Sequence, residues 1–173
     1  MDGDNGVNGG KKMLKRLLKE ILDKNFLIIC MGNEFRGDDE VGIYIYRRLK
    51  EYSMKNILNV GNALENFFGV IARYKPETIL FIDGIYAGLK PGEIVFTEVK
   101  NIREVSFAST HKIPIKLLIK YLNSLSIYPR SYILGIQISN IGFGGKMSKV
   151  VKNSAEKILE IFFSILSSSH GDY

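Results

Sequence analysis

Five short apolar runs alternate with stretches whose apolar residues recur every three or four positions. The runs at 26–31, 57–60, 78–82, 93–99 and 132–138 are rich in β-branched and aromatic residues and read as strands. Helical spacing covers about 40–52, 63–73, 112–125 and 147–167. A run such as Thr78-Ile-Leu-Phe-Ile82 has no polar alternation, so it predicts a strand covered on both faces. Strand–helix alternation with buried strands predicts a single α/β domain in three layers, helix, sheet and helix. Only Gly84-Ile-Tyr-Ala-Gly-Leu-Lys-Pro-Gly92 joins the third and fourth strands. A parallel crossover needs about a dozen residues or more, so the fourth strand is expected to run antiparallel. The prediction is a twisted, mixed, mostly parallel sheet of about five strands.

The ends read differently. Leu14, Leu17, Leu18, Ile21 and Leu22 place an amphipathic helix over 11–24, with a basic outer face. Packing against the domain is favoured over a membrane surface. Residues 1–10, MDGDNGVNGG, read as a flexible tail, and 168–173 as a fraying end. The expected organisation is a tail and extra helix at 1–25, one α/β domain at 26–167 and a tail at 168–173.

Composition narrows the setting. The 173 residues are 46% hydrophobic with a formal charge of +6, much of it concentrated in residues 11–19. A basic face on one helix is more often solvated than bound to a polyanion, so no nucleic-acid partner is expected. No apolar run approaches the ~18 residues of a membrane span, and the opening residues lack the apolar core of a secretory leader. The single cysteine, Cys30, lies in the first strand run, where a small buried apolar role is expected rather than a disulfide or zinc site. A cytoplasmic setting fits these features.

In open α/β sheets ligands gather at the carboxyl ends of the parallel strands. Asp38 and Asp39 follow the first strand, Asp83 follows the third, and His111 precedes a helix. Residues 100–110 are long enough to return the chain from the fourth strand to that rim. Two carboxylates and an imidazole from three separate loops make a donor set suited to zinc or nickel with one position open. Each residue also has a plain structural reading: an acid in a first helical turn, a turn-forming aspartate, an idle histidine. Both readings stand on composition and spacing alone. An HExxH helix, a GxSxG elbow and a GxGxxG fingerprint are all missing, and acids at the helix start would repel a pyrophosphate.

GNEFRGDDEVG at 32–42 resembles the opening motif of the hydrogenase maturation endopeptidases, which process nickel–iron hydrogenase large subunits. The likeness continues in order through GNALEN at 61–66, LFIDG at 80–84, LKPG at 89–92, STH at 109–111 and LGIQ at 134–137. It spans roughly residues 26–165 and looks most like the branch serving formate-linked or energy-converting hydrogenases. The resemblance implies a mixed sheet between helices and cleavage of one bond near the precursor's C-terminus after nickel insertion. It also implies that Asp39, Asp83 and His111 contact the nickel carried by the precursor, and that zinc or cadmium could stand there in isolation. Asp38 and Glu40 would then shape the start of the helix or face water. Glu40 replaces a small residue of the family pattern, and Ile138 stands where proline often follows the glutamine. The partner implied is the large-subunit precursor, and the expected state is a monomer.

Two other functions fit parts of the chain. A non-cleaving metal-binding accessory of hydrogenase assembly would use the same three residues. A basic α/β module would bind nucleic acid or membrane through Lys11–Lys19 and lose that binding without residues 1–24.

Overall fold

The computed structural model describes residues 4–101 and 112–169. Its strands are β1 (Phe26–Met31), β2 (Ile57–Gly61), β3 (Thr78–Ile85), β4 (Ile94–Glu98) and β5 (Arg130–Gln137). The helices are α1 (Asp4–Leu22), α2 (Val41–Glu51), α3 (Phe68–Tyr74), α4 (Lys112–Ser124) and α5 (Lys149–Ser169), with short 3-10 turns before α2 and α3. The strands form one sheet in the order β2-β1-β3-β5-β4. β1, β2, β3 and β5 pair in parallel, and β4 runs antiparallel to β5 at the edge. The short link after β3 therefore does what its length demands.

Two apolar layers sandwich the sheet. On one face, Ile28 and Cys30 of β1 and Leu80 and Ile82 of β3 pack with α1, α2 and α5 through Leu18, Ile45, Leu49, Leu159 and Phe162. On the other, Leu27, Ile29 and Met31 of β1 and Ile79, Phe81 and Ile85 of β3 pack with α3 and α4 through Ile71, Ile115 and Leu118. All eight residues of β3 are buried. A central parallel strand is covered on both sides, and a continuous apolar run is its sequence signature.

Three elements depart from the sequence reading. α1 begins at Asp4, so residues 4–10 extend the helix instead of forming a tail. Its anchors are Leu18 and Ile21, both buried in the core, with Leu14 packed against it. Once that turn is fixed, each added residue gains a hydrogen bond without a new nucleation cost. β3 continues to Ile85, which puts Asp83 inside the strand, opposite Gly135 of β5, rather than just beyond it. At the other end, α5 runs to Ser169, two residues into the stretch expected to fray. α1 packs on the domain, where Lys11 also reaches Glu160 of α5 at 3.1 Å.

Candidate active site

The loop between β1 and α2 is built on backbone proximity. Gly32 has φ +141°, and a Cβ there would sit 2.0 Å from the carbonyl oxygen of Asp39. That carbonyl accepts the Asn33 N–H at 3.0 Å, while Asn33 Oδ1 accepts the Phe35 N–H at 2.9 Å. The chain thus folds back on itself within eight residues. This places the acidic run at the carboxyl ends of β1 and β3.

The three acids have separate employments. Asp38 is fully buried, and its carboxylate receives hydrogen bonds from the loop 139–148. Oδ2 accepts the N–H groups of Ser139 at 3.0 Å and Asn140 at 2.9 Å and the Ser139 hydroxyl at 3.3 Å, and Oδ1 accepts the Ser148 N–H at 2.6 Å. The Asp38 N–H donates in turn to the Asn140 carbonyl at 2.7 Å. Burial opposes the charged form, but the bonds from Asn140, Ser148 and Ser139 outweigh it and hold this carboxyl below its usual range. The expectation that Asp38 shapes the start of the helix or faces water is therefore corrected: it braces a loop a hundred residues away. Glu40 instead pairs with Arg47 of α2 at 2.9 Å, and Arg47 also holds Glu34.

Asp39 is 8% exposed and Asp83 1% exposed. Burial first, then the charges of Asp39 and Asp38, hold the Tyr86 phenol above its usual range. Alternation along β3 puts Asp83 on the face of Phe81 and Ile85, the face that α4 covers. Gly84 takes the other face, where a Cβ would meet Ile138 and Val41. His111 lies outside the described residues, one position before α4. Among the described residues, no three His, Cys, Asp or Glu side chains gather as a metal site.

Cys30 is fully buried, and burial together with the nearby Asp83 charge pushes its thiol far up. It stays protonated and acts as a packed apolar residue, as expected from its place in the strand.

Gln137, the last residue of β5 and of the LGIQ stretch, has a role that its motif alone does not show. Its Oε1 accepts the N–H groups of Ala87 at 2.7 Å and Leu89 at 3.2 Å, and its carbonyl accepts the Gly92 N–H at 2.8 Å. One buried side chain thus shapes the whole connection after β3. A polar residue ending an apolar strand was the available signal, because a buried amide needs partners. Next to it, the Ile138 N–H donates to the Ile85 carbonyl at 3.0 Å, a bond that proline could not make.

Asp38→Asn is expected to cost about 2–3 kcal/mol at pH 7, because a neutral amide replaces a charged acceptor of loop N–H groups. Since folding lowers the pKa of Asp38, its contribution is present above the ordinary carboxyl range of about 4 and fades as pH falls through the folded value. Urea melts of both proteins should therefore differ less at pH 3 than at pH 7. An equal gap at both would remove the charge from this account.

A parallel-rich α/β sheet between two helical layers is a fold whose ligands gather at the carboxyl ends of the strands. The hydrogenase maturation protease family profile matches residues 43–165, and the chain belongs to that family. A protein named as a hydrogenase maturation protease in Methanocaldococcus jannaschii is 34% identical over 166 residues, covering 90% of this chain and 95% of its own. The hydrogenase 3 maturation protease of Escherichia coli is 29% identical over 136 residues, covering 78% and 86%. The crystal structure of a nickel–iron hydrogenase maturation protease from Thermococcus kodakarensis superimposes with a TM-score of 0.72 at 27% identity, covering 87% and 99%. The chain is thus a peptide-bond hydrolase of hydrogenase maturation, with the α/β fold of its structural relatives.

Proposed function

We propose that this protein removes the C-terminal extension of a nickel-loaded hydrogenase large-subunit precursor, and that Asp39, Asp83 and His111 contact the nickel that the precursor carries. The observation that carries the site assignment is the placement of two nearly buried acids toward the carboxyl end of the parallel sheet. Asp39, 8% exposed, lies in the turn that follows β1, with its carbonyl packed over Gly32. Asp83 lies inside β3, near its carboxyl end, on the face covered by α4, the helix that His111 precedes. Two carboxylates and an imidazole suit a divalent ion whose remaining positions are filled by precursor thiolates.

Such a site recognises coordination that only the loaded precursor supplies, so a nickel-free precursor is left uncut. Hydrolysis adds water across one peptide bond and releases a carboxylate and an amine. A carboxylate of the site is the group placed to accept the water's proton. No helix among the described residues is long and apolar enough to cross a membrane. A monomer working in the cytoplasm fits this activity.

Mass measurement on loaded and nickel-free precursor, each incubated with the protein, tests the reading. Loss of one discrete C-terminal peptide from the loaded sample alone is the expected result. Binding without cleavage of a loaded cognate precursor would favour a non-cleaving accessory instead.

A further inference from the structure

A cleft of about 420 Å³ opens between the loops that follow β1 and β2, lined by Gly32, Asn33, Phe35, Asn59, Asn62 and Phe67 among others. Building on the activity above, we propose that this cleft holds an extended, uncharged segment of the precursor polypeptide, with an apolar side chain laid against Phe35.

The lining fits peptide rather than a charged ligand. Its one ionisable side chain is Glu34, which Arg47 already pairs. Asn33 and Asn59 each turn the side-chain oxygen to a local N–H, that of Phe35 at 2.9 Å and that of Gly61 at 3.0 Å. The function they retain for a ligand is the NH₂ group, a donor suited to peptide carbonyls. Two aromatic side chains, Phe35 and Phe67, provide apolar walls.

Position ties the cleft to the acids. Gly32 and Asn33 form its wall, and they are the residues packed on and bonded to the Asp39 carbonyl. A segment lying there passes directly beside the acidic turn. Phe35 is 60% exposed, yet its place is set before any ligand arrives. Its ring stacks on that of Phe143 with centroids 6.3 Å apart, and its carbonyl accepts the Gly144 N–H at 2.8 Å. An apolar surface already ordered loses little freedom on binding. Because the loop carrying Phe143 is the one that Asp38 braces, the aromatic wall and the acids are held by one set of bonds.

The test uses immobilised, nickel-loaded large-subunit precursor from the same source, with binding measured by interferometry and cleavage by mass. Phe35→Ser and Asn62→Leu are each expected to raise Kd and KM about tenfold, the size of one lost interface anchor. Their kcat should stay within about twofold, since neither residue belongs to the proposed nickel contacts. Tyr128→Ser, at a side chain 73% exposed before β5, serves as the surface control and should change nothing. Thermal melts verify that each variant is folded. Unchanged Kd in both cleft variants overturns the inference, as does a wild type that does not bind the precursor. A wild type that binds but does not cut ends the endopeptidase reading, and the cleft is then judged on Kd alone.

Discussion

Asp39→Ala is expected to lower release of the C-terminal peptide at least about a hundredfold, the scale at which one acid–base group contributes. The loop should keep its path, because the backbone bonds at residue 39 remain in the variant. Its carbonyl accepts the Asn33 N–H and its N–H donates to Arg36 at 3.0 Å. Single-turnover cleavage of loaded precursor, followed by mass, measures the first claim and a thermal melt the second. Asp83→Ala and His111→Ala should lose processing to a similar degree. Asp38→Asn should retain more activity than any of them once assayed where it is folded. Were Asp38 indispensable and Asp39 dispensable, the inward-facing acid would be the other one, and the nickel assignment would shift by one residue.

Gly42→Ala is expected to have the largest effect on stability, about 3 kcal/mol or more, read as a fall in the urea midpoint or failure to yield soluble protein. A Cβ at this position would lie 2.1 Å from the Met31 carbonyl oxygen and 2.8 Å from that of Ile82. Both are backbone atoms of buried strands, so neither can swing aside as a side-chain end could. The first turn of α2 approaches β1 and β3 this closely only without a side chain. Gly10→Ala provides the opposite sign. Nothing lies within 4 Å of a Cβ at Gly10, an exposed position inside α1, and alanine there should stabilise by about 0.5–1 kcal/mol. A similar gain at both positions would mean that helix propensity, not the close approach, governs Gly42.

Much of the fold was readable because its determinants are local. The apolar run at 78–82 announced a doubly covered strand, and the short link 84–92 announced an antiparallel edge; both are present. The acidic turn was also visible, but the role of each acid was not. The role of Asp38 is set by Ser139, Asn140 and Ser148, and nothing in the neighbouring sequence encodes partners so remote. The bonding role of Gln137 is hidden for the same reason, since its partners Ala87 and Leu89 lie 50 and 48 residues away. The extra reach of β3 follows from β5, whose ladder continues opposite Asp83, Gly84 and Ile85 and closes on the Ile138 N–H. Strand ends depend on the neighbour that pairs with them. Single-chain periodicity cannot see that neighbour.

The brace at Asp38 also sets when the rim can exist during synthesis. Asp39 and Asp83 leave the ribosome early, yet Ser148, the last partner of Asp38, lies 110 residues beyond it. β4 meets a similar delay, because β5 is its partner in the sheet and is made afterwards. A nascent chain that stops before residue 130 therefore contains both acids, β1, β2 and β3, but has no loop to close over the acidic turn. Domains fold as units once their long-range contacts become available. Both the edge strand and the braced rim await residues 130–148, so the rim takes its final form only after that stretch has been made.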